Sequence, residues 1–226
     1  MARHAAAASG ESSAGTGQQQ HWTDTFAASP DMYGTEPSEC GVFAAEQLAT
    51  GGRVLELGAG QGRDTMYFAR RGFNVVALDF ARSAVDEIAR KARAAGLADC
   101  LAVCRHDART FLPFADEAFA AGYSHMLFCM ALSTIELERL AAEVFRVVRP
   151  GGLVVYTVRT KDDAHYGVGA RRGDDTFEQG GFVVHFFDRD LVDRLAAVGF
   201  DLLDITEFTE GALPRRLWRV TLRKPA

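Results

Sequence analysis

The sequence predicts an α/β domain built on a largely parallel, doubly wound sheet, and three observations carry that prediction. Short apolar runs alternate along the chain with segments of helical spacing, the rhythm of a sheet with helices on both faces. The first run, Val54, Leu55 and Leu57, suits a strand buried on both faces and passes at once into Gly58, Gly60 and Gly62, a turn whose missing Cβ atoms let backbone approach a ligand. With 226 residues, 48% of them hydrophobic and 24% charged, the chain can bury one sizeable core, so a single domain is expected.

Residues 1–20 are Ala, Ser, Gly and Gln with almost no large apolar side chain, and a disordered tail is expected there. The domain is then expected over 21–226. Its first part, 21–50, holds Trp22, Phe26, Met32 and Tyr33, an ordered flap, followed by a helix through Phe43, Ala44 and Leu48 that Gly51 and Gly52 end. After the glycine turn, Arg63 onward reads as helix, Asn74 to Leu78 as a second strand ending at Asp79, and Ser83 with Asp86 as a capping-box-like helix start. A third strand, Cys100 to Cys104, leads to His106, Asp107 and Ala108, and Tyr123 to Cys129 holds a fourth. Ser133 and Glu136 form another capping box before Leu137, Leu140, Ala141 and Val144; Arg149 to Gly152 break that helix, and Leu153 to Val158 is the fifth strand. Thr160 to Gly181 is polar, glycine-rich and too long for a simple connection, which reads as a functional lid, with the whole insertion taken as 160–187. Asp188 can cap a helix bearing Leu191, Leu195 and Val198, and Asp201 to Phe208 with Leu217 to Leu222 reads as an antiparallel hairpin.

A net charge of −5 gives no general attraction to nucleic acid, and no apolar run approaches the ~20 residues of a membrane span. No segment has the form of a signal or transit peptide, so a cytoplasmic location is expected. Cys40, Cys100, Cys104 and Cys129 show no CxxC pairing, which argues for reduced thiols and against a zinc ribbon or any other metal site.

The glycine spacing separates ligands. A dinucleotide fingerprint GxGxxG needs its third glycine where Arg63 stands, which counts against NAD. Glu56 is an acid inside an apolar strand, costly unless it serves the loop. The string ELGAGQGRD, with Glu56 and an acidic Asp79 closing the next strand, resembles motifs I and II of the class I S-adenosylmethionine (SAM)-dependent methyltransferases. The resemblance covers about Glu39 to Lys224 and implies a Rossmann-like, seven-stranded, mostly parallel sheet with a C-terminal antiparallel hairpin. GAGQGRDT and HFFDRDLVDRLAAVGF are similar to small methyltransferases of the tellurite-resistance type and the broad methyltransferase-domain families.

What the resemblance implies is specific. SAM would be the cofactor and S-adenosylhomocysteine the product. Glu56, Gly58, Ala59, Gly60 and Gly62 would lie at its methionine end, Asp79 would accept the ribose hydroxyls, Phe80 would lie against the ring, and Asp107 and Ala108 would meet adenine. Arg63 and Asp64 would reach the carboxylate and amine, with Ser124 on the cofactor side of the fourth strand and Tyr33 as a lid contact. The reaction would be methyl transfer to a small molecule, a thiol, metalloid oxyanion or small metabolite, by in-line displacement. His125 is the expected catalytic group; His125, His165, Tyr166 and His185 are expected around the acceptor, and Arg171 and Arg172 would favour an anionic one if they face inward. Other readings stay open: Asp79 and Asp107 as helix caps or turn acids, the histidines as core or solvated residues, and the whole chain as a SAM-binding regulator without turnover or an NAD(P)-linked oxidoreductase.

Overall fold

The computed structural model describes residues 11–49, 51–211 and 215–226, with side chains from Gly17 onward. Five parallel strands form its centre: β1 (Arg53–Leu57), β2 (Asn74–Asp79), β3 (Leu101–Arg105), β4 (Phe119–His125) and β5 (Val148–Arg159). Two long strands, β9 (Asp201–Glu210) and β10 (Arg215–Arg223), complete the sheet in the order β3-β2-β1-β4-β5-β10-β9, with β10 antiparallel to both neighbours. The seven-stranded architecture expected from the sequence is therefore present. Because β2 and β4 flank β1 on opposite sides, the loops after β1 and β4 part there and open a crevice at their carboxyl ends.

Helices cover both faces. On one, α2 (Glu39–Gln47), α3 (Arg63–Arg70) and α4 (Arg82–Ala94) bury Ala44, Phe68 and Ile88 against Val54, Val75 and Tyr123. On the other, α5 (Thr134–Val147) and α6 (Arg189–Ala196) bury Leu137, Leu140, Val192 and Leu195 against Leu55, Leu57 and Tyr156. The Ser133–Glu136 capping box and the Asp188 cap form as expected.

Three local expectations need correction. The capping box expected at Ser83 and Asp86 does not form: Ala81 is the N-cap of α4, its N–H donates to Asp79 Oδ1 (2.8 Å), and Ser83 Oγ instead donates to Thr23 O (2.7 Å). Thr23 lies in α1 (Glu11–Ala28), a helix that runs through the second half of the expected tail, while residues 1–10 lie outside the described residues. Composition concealed α1 because its attachments are polar: Gln19 Nε2 donates to Phe80 O (3.0 Å) and Gln18 Nε2 to Gly181 O (2.8 Å). The expected lid, finally, is a small antiparallel sheet, β6 (Ala170–Gly173), β7 (Thr176–Gln179) and β8 (Phe182–His185), whose strands of four residues each are too short to show hydrophobic alternation. Its β7–β8 turn supports α1, with the His21 and Trp22 rings 4.6 and 5.0 Å from Phe182.

The basic residues of the last hairpin point to different places. Arg219 covers the Phe43 ring at 3.5 Å, Lys224 donates to the carbonyls of Phe145 and Val148, and Arg215 turns into the crevice. No helix among the described residues is long and apolar enough to cross a membrane, and the four cysteines are free thiols.

Candidate active site

A cavity fills the crevice, floored by the glycine turn and the end of β4 and roofed by Gln18, Trp22 and Phe26 of α1. The floor is tight because of its glycines. Gly58 has φ 69°, and a Cβ there would meet Leu127 Cβ at 2.7 Å; Gly62, at φ 83°, would drive one into Ile88 at 2.6 Å. A side chain at Gly58 would thus be both strained and in the way, so the backbone itself forms the wall. Gly60 N–H donates to Asp79 Oδ2 (2.8 Å), which ties the turn to the end of β2.

Asp79 is buried with a backbone donor on each oxygen, from Gly60 and from Ala81. Burial raises its pKa to about 6 despite those two bonds, since no cation faces it. Each oxygen keeps a second lone pair. Glu56, also buried, has its pKa pushed well above the ordinary range by burial and by the neighbouring Asp64, and accepts from Thr65 Oγ1. Phe80, Asp107 and Ala108 line the adjoining wall. Burial would raise the Asp107 carboxyl, but its ion pair with Arg109 and the Arg109 N–H (3.0 Å) outweigh that and hold it below the usual range.

Asp64 borders the cavity, yet its oxygens are taken by Ser38 N–H (2.6 Å), Ser38 Oγ (2.7 Å) and Tyr123 OH (2.6 Å). It locks the N-terminus of α2 to α3 and β4. Gln61 does the same for the roof: its amide donates to Ser29 O (2.9 Å) and accepts from Met32 N–H (2.8 Å). Tyr33 follows that turn and lines the cavity, its carbonyl accepting from Arg63 (3.3 Å).

The far end of the cavity is built from residues distant in sequence. His125 Nε2 lies 3.0 Å from Glu210 Oε2, and the other Glu210 oxygen accepts from Arg63 at 3.0 Å. Burial would raise the Glu210 pKa, but His125 and Arg63 bring it down to about 2. An ionised carboxylate only accepts, so Nε2 carries the hydrogen, and Nδ1 lies 3.0 Å from Thr157 Oγ1. Thr157 Oγ1 also accepts from Met126 N–H (2.9 Å), a residue held at φ 70°, where non-glycine residues are rare. The buried Thr157 thus holds both the imidazole and the backbone beside it. Both ring nitrogens of His125 are engaged, which makes it an orienting group in this state rather than a free base.

Four expected residues are placed elsewhere. Ser124 is buried and donates to Leu57 O (3.0 Å), a strand tie away from the cavity. His165 packs against Asp163 and Arg159, and Tyr166 donates to Asp175 (2.6 Å) beside Phe177 and Phe186. His185 is buried, its Nδ1 on Leu132 O (2.8 Å), and burial lowers its pKa, leaving it neutral. Arg171 and Arg172 are exposed on β6, paired with Asp174 and Glu178. Conversely, Thr157, Glu210 and Arg215 were missed. Glu210 and Arg215 flank a hairpin tip, where charges read as solvated, and Thr157 sits in an apolar run with nothing to mark its hydroxyl.

Residues 54–152 match the family model described as a methyltransferase domain. Among similar proteins, the 24-methylenesterol C-methyltransferase 2 of Oryza sativa subsp. japonica is 32% identical over 142 residues, 59% of this chain and 38% of the relative. The demethylmenaquinone methyltransferase of Thermobifida fusca (strain YX) is 29% identical over 140 residues, 62% of this chain and 50% of the relative. The chain thus spans about half the length, or less, of these two relatives. In three dimensions it resembles the 1,6-didemethyltoxoflavin-N1-methyltransferase of Burkholderia thailandensis, solved with 1,6-didemethyltoxoflavin and S-adenosylhomocysteine, at TM-score 0.77 and 18% identity, covering 100% of this chain and 94% of that one.

Proposed function

We propose that this chain, which carries a class I, SAM-dependent methyltransferase domain, moves the methyl group of SAM to a small-molecule acceptor. The observation that carries the reading is the meeting, in one cavity, of a glycine-walled turn tied to a buried Asp79 with the Arg63–Glu210–His125 array opposite. The residues fit the cofactor: Gly58 leaves a wall that a Cβ would fill, and Asp79 keeps acceptor capacity for two neighbouring hydroxyls. In this reading Gly58, Ala59, Gly60, Gly62 and Glu56 hold the methionine part, Asp79 and Phe80 the ribose and ring, and Asp107 and Ala108 the adenine.

SAM supplies an electrophilic methyl on a sulfonium. The chain's task is then alignment and exclusion of water, for which effective molarities make about 7–11 kcal/mol available in well-oriented pairs. Trp22 and Phe26 close the cavity from above. Glu210, fixed by Arg63 and His125, accepts a hydrogen bond from the acceptor's O–H, N–H or S–H and turns its lone pair toward the methyl. Thiols, hydroxylated rings, N–H heterocycles and small metabolites all satisfy that requirement.

Incubation with methyl-labelled SAM and a panel of thiols, metalloid oxyanions, phenols and N–H heterocycles tests the reading. Label appearing in one class, with S-adenosylhomocysteine released in equal amount, is the expected result. Tight NAD binding with no response to SAM would overturn it, and SAM binding without turnover across the panel would leave a cofactor-binding regulator.

A further inference from the structure

The charges around the cavity balance one another with one exception. Asp107 is paired with Arg109, Glu210 with Arg63 and His125, and Asp64 is closed by Ser38 and Tyr123. Asp79 holds two backbone N–H groups and Glu56 a threonine hydroxyl. Arg215 also lines the cavity, half-buried, and among the described residues its guanidinium has no carboxylate partner and no hydrogen bond. Its position makes this unexpected. Arg215 stands directly opposite Glu210 across the β9–β10 ladder, the geometry in which opposite charges ordinarily pair. Glu210 instead turns to Arg63 and His125, which leaves a cation facing the hairpin end of the cavity, beside Tyr33, with its donors unused.

We propose that Arg215 is the group that selects the acceptor, by taking a carboxylate or similar planar oxyanion on it. The inference rests on the methyl-transfer reading above and narrows it to small molecules that carry an acidic group as well as the nucleophile. A guanidinium suits this task because its parallel N–H groups match the two oxygens of a carboxylate. The wall beyond, formed by Met126, Leu127, Met130 and Leu132, suits an apolar or ring-shaped body attached to that anion. A carboxylate also exists on the methionine part of SAM, so the same chemistry has two sources that must be separated.

Calorimetry on wild type, Arg215→Gln and Arg215→Lys separates them, with the exposed Arg172→Gln as a control. Titration with S-adenosylhomocysteine and with 5′-methylthioadenosine, which lacks the amino-acid group, forms the first arm. Benzoate and benzamide, added to protein saturated with S-adenosylhomocysteine, form the second. The expected result is that wild type and Arg172→Gln prefer benzoate by at least ~10-fold, that Arg215→Gln loses the preference, that Arg215→Lys keeps part of it, and that S-adenosylhomocysteine binds all four within about threefold. Absence of a benzoate preference in wild type, or its survival in Arg215→Gln, would overturn the proposal. A selective loss of S-adenosylhomocysteine but not 5′-methylthioadenosine in Arg215→Gln would move Arg215 to the cofactor and overturn the acceptor assignment. Failure of wild type to bind S-adenosylhomocysteine would instead overturn the methyl-transfer reading itself.

Discussion

Asp79 and Glu210 stand at the two ends of the cavity, and the two carboxyl groups are tuned in opposite directions. At the glycine-turn end, Asp79 is buried among backbone N–H groups with no cation nearby, and its pKa rises to about 6. At the hairpin end, Glu210 is also removed from water, yet His125 and Arg63 bring it down to about 2. Burial acts the same way on both; the counter-charge decides. One end offers a preformed acceptor wall suited to hydroxyl donors, the other a charged array suited to orienting a polar reactant. Stability is linked to pH with opposite signs. Asp79 favours its protonated form in the fold, so its ionisation costs stability as pH rises through about 6. Glu210 stabilises the fold above the usual glutamate pKa, and that contribution is lost as pH falls toward about 2.

The largest effect that would break this division is at Gly58. Gly58→Val places a branched side chain against Leu127 at a φ of 69°, with left-handed strain of roughly 1–2 kcal/mol and overpacking of about 1–3 kcal/mol. SAM affinity is expected to fall at least ~10²-fold with the far-UV circular dichroism unchanged; near-normal binding would mean that the turn is not the wall.

Glu210→Ala tests the other end. It leaves Arg63 and His125 without their shared partner, and methyl transfer is expected to fall about 10²-fold while SAM affinity stays within about threefold. Equal losses in both would show that the two ends are one unit.

Thr157→Val is the finer probe. The isosteric change removes the hydroxyl that serves His125 Nδ1 and Met126 N–H, so the nitrogen-15 shift of Nδ1 should change while Nε2, still on Glu210, keeps its hydrogen. Transfer should drop about tenfold, with stability lower by about 1–3 kcal/mol for the unpaired amide, and Thr157→Ser should restore both. An Nδ1 shift unchanged in Thr157→Val would remove Thr157 from the array.

The same division explains which parts of the molecule could be read from the sequence. The succession of strands and helices along the chain follows from apolar runs and glycine breaks, both local signals, and the glycine-turn wall is contained between Glu56 and Phe80. The hairpin end joins Arg63, His125, Thr157 and Glu210, residues as much as 147 positions apart, and only the closed sheet brings them together. Polar contacts hid the rest: α1 is fastened by glutamine side chains, and Asp64, which reads as a ligand group, is consumed by Ser38 and Tyr123. His165 and Tyr166 lie outside the cavity lining because the polar, glycine-rich segment that reads as a lid folds back as a small sheet.

The central claim is that Asp79 receives the ribose hydroxyls of SAM at the glycine-turn end, and its raised pKa gives that claim a pH signature. Protonation turns an acceptor oxygen into a donor, so binding requires the carboxylate. SAM affinity measured by calorimetry from pH 5 to 8 should be flat above about 6 and fall about tenfold per unit below it, with one proton released on binding at acid pH. Asp79→Asn should bind more weakly at neutral pH and lose the slope. A wild-type affinity that does not change across this range, or an Asp79→Asn profile that matches wild type, would contradict the account.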